Sequence, residues 1–175
     1  MEDVHEPSPM DSFGPGRIVK PVGKQRFRGW EVVGENKIEV VEKLVMWPKE
    51  GELLVRVRSC GLSMSDVMQR KGGFVSPVGA SPVLGQEIAG EVVATGESVY
   101  DWSIGDRLCC LVPSGAFAEF CICPAAQCLP MPKGFSWAES AAVPLACAVS
   151  WCFLFDLGKL TKGQTVLVHG GAGGA

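Results

Sequence analysis

Histidine is nearly absent: the chain has only His5 and His169, which are not spaced as a metal-ligand pair. Positive charge is not in excess either. Sixteen basic against nineteen acidic residues leave a net charge of −3, which excludes the basic footprint of a nucleic-acid binder and disfavours an anionic membrane surface. A membrane-spanning helix needs about 20 apolar residues, and the longest apolar run, Ala141 to Phe155, falls short of that. It contains Pro144 and Ser150 and is bracketed by Glu139 and Asp156. It reads as a core helix, and no transmembrane segment is expected.

Cysteine, by contrast, is plentiful, with eight among 175 residues. A secreted disulfide scaffold is disfavoured by the length, by an opening without a charged-then-apolar signal pattern, and by the adjacent pair Cys109-Cys110. Reduced, mostly buried thiols in the cytoplasm are expected. No two cysteines have the C-x-x-C spacing usual for structural zinc, so no metal ligand is assigned. Glycine (22) and proline (12) make up about a fifth of the chain. That favours a turn-rich β architecture without reaching the composition of disorder.

Residues 1–28 carry four prolines and mixed charge without periodicity and read as a disordered leader. Strands are expected over Trp30–Val33 and Ile38–Val45, around a Gly34-Glu35-Asn36-Lys37 turn. Leu54–Arg58 alternates, with Val55 and Val57 on one face and the arginines on the other. Ser63 to Lys71 reads as a short helix with Ser63 or Ser65 as N-cap and Gly72 at its end. Ile88–Thr95, Arg107–Val112 and Ala116–Cys123 supply three more strands, which together suggest a closed or nearly closed barrel. Ser136-Trp137-Ala138-Glu139 is a capping box that starts helical material broken at Pro144 and stopped at Gly158. Thr165–His169 reads as a short β-branched strand running into Gly170-Gly171-Ala172-Gly173-Gly174. Strand followed by glycine loop is how a dinucleotide-binding βαβ unit opens, although a flexible terminus has the same composition.

Several ordered segments resemble the medium-chain dehydrogenase/reductase superfamily. They are Cys60-Gly61-Leu62-Ser63-Met64-Ser65-Asp66, Pro82-Val83-Leu84-Gly85-Gln86-Glu87, Ile104-Gly105-Asp106-Arg107, Gly115-Ala116-Phe117-Ala118-Glu119-Phe120, and Gly163 to Gly170. Within the superfamily the chain is similar to the zinc-free quinone oxidoreductase branch and to its vesicle amine transport protein homologues. In zinc-dependent members the position of Ser63 holds a cysteine and that of Gln86 a histidine. Hydroxyl and amide are poor zinc ligands beside thiolate and imidazole. Cys147 lies where a third ligand would fall, and alone it cannot hold a catalytic zinc.

The resemblance implies a mainly β fold with some α: a GroES-like β-barrel over residues 29–150, then only the first strand and glycine loop of a Rossmann domain over residues 151–175. It also implies NADPH as cofactor, a quinone or α,β-unsaturated carbonyl as substrate, and a homodimer in a full-length form. The location implied is cytoplasmic, peripheral to membranes at most. Ser63, Asp66 and Glu87 are the candidate catalytic residues. Ser63, Val149, Gly170, Gly173 and Gly174 are the candidate cofactor contacts. Ser63 has a structural alternative as N-cap and Asp66 one in serving the helix dipole; in the family's pattern the glutamate at the position of Glu87 organises the cleft, and His169 reads as a packing or loop-ordering histidine. Phe74 and Val149 stand where the resembled enzymes carry a tyrosine and a threonine, so polar groups are lost from the cleft. The chain reads as truncated, and negligible NADPH turnover is expected of it alone. A non-enzymatic adaptor built on the same barrel is the alternative function.

Overall fold

The computed structural model describes residues 25–34, 36–74 and 77–174. Most of the expected leader, residues 1–24, lies outside these. Arg26–Arg28, assigned to the leader from composition, instead begin the first strand.

β1 (Arg26–Gly34) and β2 (Lys37–Leu44) form an antiparallel hairpin with Trp30 opposite Val40. β3 (Glu52–Cys60), β4 (Glu87–Thr95), β5 (Arg107–Leu111), β6 (Phe120–Pro124) and β7 (Cys128–Pro130) make one antiparallel sheet in the order β6-β3-β4-β5-β7. Isolated bridges, Gly29 to Ala118 and Glu31 to Val83, join the hairpin to the segments that lead into β6 and β4. Arg28 fastens it to Glu119: Nη2 and Nε donate to Oε1 at 2.7 and 3.2 Å, and the Arg28 amide donates to Oε2 at 2.8 Å. The expected barrel is thus a curled sheet closed by a hairpin lid.

β3 is buried on both faces, which explains why Leu53, Leu54 and Val55 are apolar in a row. Leu53 and Val55 face the barrel core with Ile88, Val92 and Leu108. Leu54 faces the hairpin side, packed with Phe120 and Val93 against Phe27 and Trp47. The alternation of Val55 and Val57 holds on the inner face, and Arg58 pairs with Glu91 at 3.2 Å. Burial of such side chains contributes roughly 1.5–3 kcal/mol each.

The strand expected over Ala116–Cys123 begins later, at Phe120. Ala116 and Phe117 instead donate their amides to Gly85 and Leu84 carbonyls at 3.2 and 2.8 Å. The reason is Gly85, whose φ of +93° turns the chain there. A Cβ at Gly85 would collide with the Phe117 ring, so only glycine allows this crossing.

α1 (Met64–Arg70) follows β3, with Ser63 as N-cap. α2 (Trp137–Ala141) opens with the expected capping box: Ser136 Oγ accepts from the Glu139 amide at 3.3 Å, and the Glu139 carboxylate accepts from the Ser136 amide at 2.8 Å. Arg107 lies over the Trp137 ring at 5.3 Å, holding α2 to β5. Pro144 opens α3 (Pro144–Trp151), which continues as a π-turn over Cys152–Leu157 to Gly158.

Two expectations fail in this C-terminal part. The apolar run read as a core helix belongs to a 21-residue stretch, Trp137–Leu157, of mean hydropathy 1.7, and only 17% of it is buried. By length and composition it could cross a membrane. Its exposed side carries Trp151, Phe153 and Leu157. Secondly, Thr165–His169 is not a strand. Val166, Leu167 and Val168 are irregular and exposed, Leu167 at 80%. A parallel strand needs neighbours and covered faces, and none of the described strands pairs with this segment.

Candidate functional site

The end of β3, the start of α1 and the start of β4 meet at one corner of the barrel. Gly61 donates its amide to the Glu87 carbonyl at 3.2 Å. A Cβ at Gly61 would run into the Glu87 carboxylate. Glycine here is therefore a condition for Glu87 to lie where it does. Glu87 is 6% exposed, and its Oε2 accepts the Leu145 amide at 2.9 Å.

Asp66, in the first turn of α1, is 4% exposed. Its Oδ2 accepts from the Ser63 amide at 2.7 Å and from Ser63 Oγ at 3.0 Å. Its Oδ1 is buried without a hydrogen-bond partner. An orphaned buried carboxylate oxygen is costly and calls for an explanation. Ser63 Oγ also lies 2.6 Å from Ser65 Oγ, and Ser65 Oγ donates to Gln86 Oε1. Asp66 Oδ2 and Gln86 Oε1 both accept, so the two hydroxyl protons make only two of these three contacts at a time.

Burial pushes the Glu87 carboxyl above the ordinary glutamate value of 4.5. The Leu145 amide opposes that, and the neighbouring Asp66 charge adds to it. Desolvation likewise pushes the Cys60 thiol up, with Asp66 and Glu87 contributing, although the residue as a whole is exposed. Both groups therefore favour their protonated forms more than a free glutamate or cysteine does.

Beside this corner is an open hollow of about 270 Å³, lined by Gln86, Leu111, Val112, Pro113, Gln127 and Leu145. Its walls are apolar, with two amide side chains to orient a polar group. Gln86 joins the hollow to the serine network, and Leu145 joins it to Glu87.

The structure therefore brings Ser63, Asp66 and Glu87 to one corner. Val149 lies one turn beyond Leu145 on α3, half-buried. Gly170, Gly173 and Gly174 are exposed and stand apart from it. The Gly173 amide donates to the Gly170 carbonyl at 2.8 Å. Sequence reasoning missed Ser65 as the bridge and Gln86 as a lining residue. The substitution of Gln86 at a zinc-donor position was the available signal for the second.

Residues 49–133 match the family model of the alcohol dehydrogenase GroES-like domain. The mouse synaptic vesicle membrane protein VAT-1 homolog-like is 37% identical over 141 residues, covering 81% of this chain and 34% of that protein. The mouse synaptic vesicle membrane protein VAT-1 homolog is 42% identical over 129 residues, covering 73% and 31%. Among solved structures, the human VAT-1 homolog-like protein superposes with a TM-score of 0.78 at 35% identity, covering 85% of this chain and 49% of that one. The quinone oxidoreductase of Pseudomonas syringae pv. Tomato DC3000 does so with a TM-score of 0.72 at 28% identity, covering 85% and 46%. The chain spans about a third of the length of the curated relatives it matches. With its curled antiparallel sheet, hairpin lid and Gly-Gln-Glu entry to β4, the chain belongs to the medium-chain dehydrogenase/reductase superfamily, of which it carries the GroES-like domain.

Proposed function

We propose that the chain supplies the substrate-side barrel of a zinc-free, NADPH-dependent reductase of quinones or α,β-unsaturated carbonyls, and that these 175 residues alone turn over no NADPH. One observation carries the reading. Ser63 and Gln86, where zinc-dependent relatives would place donors, spend their polar atoms on one another through Ser65. The corner is organised as a hydrogen-bond network and not as a metal cage. The similarity to a quinone oxidoreductase supports the substrate class.

Bound nicotinamide would supply the hydride, and the protein would supply orientation and electrostatics. In this chain, the hollow between Leu111, Val112, Pro113 and Leu145 would take the flat apolar body of a quinone or enone. A carbonyl oxygen that gains negative charge would compete with Asp66 Oδ2 and Gln86 Oε1 for the Ser63 and Ser65 hydroxyl protons. Glu87 would hold α3 against the site through Leu145, and Asp66 would fix Ser63. Val149, Gly170, Gly173 and Gly174 are the proposed cofactor contacts, the glycines only once Thr165–Val168 is seated in a sheet. The location we assign is cytoplasmic or peripheral to membranes, with pairing into a homodimer in a full-length form.

The purified chain is tested with NADPH and 9,10-phenanthrenequinone, and saturable oxidation would show that it is active alone. The barrel reading is tested by replacing the barrel of the Pseudomonas quinone oxidoreductase with residues 29–150. The chimera is expected to reduce quinones and to lose that activity on Glu87→Ala. A folded, inactive chimera would favour an adaptor instead. That second reading draws on Phe74 and Val149, which put apolar side chains where the resembled enzymes have polar ones.

A further inference from the structure

The two edges of the sheet approach one another at a cysteine from each. β6 and β7 stand at opposite ends of the strand order. Yet Cys123 on β6 and Cys128 on β7 bring their sulfurs, with that of Cys110 on β5, within 4.8 Å of one another. A single 3-10 turn, Ala125–Gln127, separates β6 from β7, and Cys110 and Cys128 are direct cross-strand partners. The barrel seam therefore gathers three free thiols. Cys110 and Cys123 are fully buried, and Cys128 is 8% exposed.

A buried cysteine is commonly just a small hydrophobe, and one or two here would call for no other account. Three sulfurs at one point are a donor set. Sulfurs that share one centre through bonds of about 2.3 Å lie about 4 Å apart, which fits within the trio's limit. Thiolates select soft centres. Zinc in a closed site takes four donors, and the other thiol of this core cluster, Cys121, neighbours Cys123 but lies outside the group whose sulfurs are all within 4.8 Å of one another. Charge narrows the class further. Val55, Leu108 and Val112 belong to the same cluster, and net charge in such surroundings is expensive. Three thiolates leave a monovalent ion with two surplus negative charges and a divalent ion with one. A trivalent centre leaves none.

We propose that Cys110, Cys123 and Cys128 form a site for a trivalent, three-coordinate thiophilic centre, with arsenite as the probe. Arsenite arrives as neutral As(OH)₃. Each S–H condenses with one As–OH, so three As–S bonds form and three waters leave, with no change of oxidation state and no proton left in the core. Cys128, on the short edge strand β7 and the least buried of the three, is the point of first attack. Occupancy ties β5, β6 and β7 together and stabilises the folded chain by mass action.

The test uses the whole chain, reduced and freed of competing small thiols. Arsenite is expected to bind at one arsenic per chain, remove three titratable thiols and raise the melting temperature, with three sulfur neighbours in the arsenic absorption spectrum. Cys147→Ser and Cys152→Ser leave all four results unchanged. Cys123→Ala weakens binding by at least about 100-fold, the upper scale for losing even an outer-shell group at a metal site. Undiminished binding by folded Cys123→Ala overturns the proposal, as does a chain that loses no thiols to arsenite. If Cys123→Ala fails to fold, the sulfur count in the unaltered chain decides: two neighbours overturn the proposal and three support it.

Discussion

The Glu87 carboxylate accepts the Leu145 amide at 2.9 Å, joining the first residue of β4 to the second residue of α3. One buried acid thereby couples the sheet to the helix that borders the hollow. Leu145 sits in the first turn of α3, where backbone amides lack partners within the helix, and Glu87 satisfies one of them across the layer boundary.

Glu87→Ala leaves that amide unpaired and opens space beside Gly61. It is expected to cost about 1–3 kcal/mol, the range for losing one partner of a buried hydrogen bond. Glu87→Gln keeps an acceptor in place and is expected to cost less. Urea unfolding checks both, through a lowered midpoint with an unchanged slope.

Stability should also depend on pH through this residue. The folded-state pKa of Glu87 lies above its ordinary value of 4.5, chiefly from burial, so the folded state keeps the proton longer than the unfolded one. That contribution is present below 4.5 and is lost as pH rises through the folded pKa. Glu119 acts oppositely. Burial raises its pKa, but the hydrogen bonds and charge of Arg28 outweigh that and lower it. Its contribution is present above 4.5 and is lost as pH falls below that value. Melting temperatures across acidic pH are expected to show both slopes, with Glu87→Gln removing only the one above 4.5.

Gly61→Ala tests the contact from the other side. The new methyl must displace the Glu87 carboxylate or the strand end, so a loss of about 1–3 kcal/mol is expected, as for overpacking. Combined with Glu87→Ala the cost should be less than additive, because one clash is removed with its partner. A double-mutant cycle in urea measures that coupling.

Ser136→Ala removes the hydroxyl half of the α2 capping box. The expected loss is about 0.5–2 kcal/mol, read as a lowered melting temperature, with far-ultraviolet helicity falling before the sheet signal. Ser136→Asp should recover most of it, since aspartate caps as well as serine does.

Much of this architecture was legible locally. β1 to β5, an N-cap at Ser63 or Ser65, the capping box at Ser136 and the break at Pro144 follow from short-range patterns, and those patterns are strong here. β7 was missed because Cys128-Leu129-Pro130 is too short to show alternation and contains a proline, which an edge strand tolerates. Thr165–His169 failed for the opposite reason: its β-branched residues favour a strand, but pairing is a property of neighbours and not of the segment. The corner of Ser63, Asp66 and Glu87 could be named from motifs, whereas the Ser65 bridge could not, because either serine satisfies the same pattern. The thiol trio was invisible because its members sit on three strands and meet only when the sheet curls.

Strand order also sets the tempo of folding. β3 is flanked by β4 and β6, and its Leu53 pairs with Cys123, a residue that arrives late in the chain. Such distant pairings must wait for long loops to close, which slows folding. Until β6 returns, one edge of β3 is left open, a run of unpaired amides and carbonyls beside Leu53, Leu54 and Val55. That edge is a template for strands of other chains. Refolding yield should therefore fall with protein concentration more steeply than the small size of the chain would suggest.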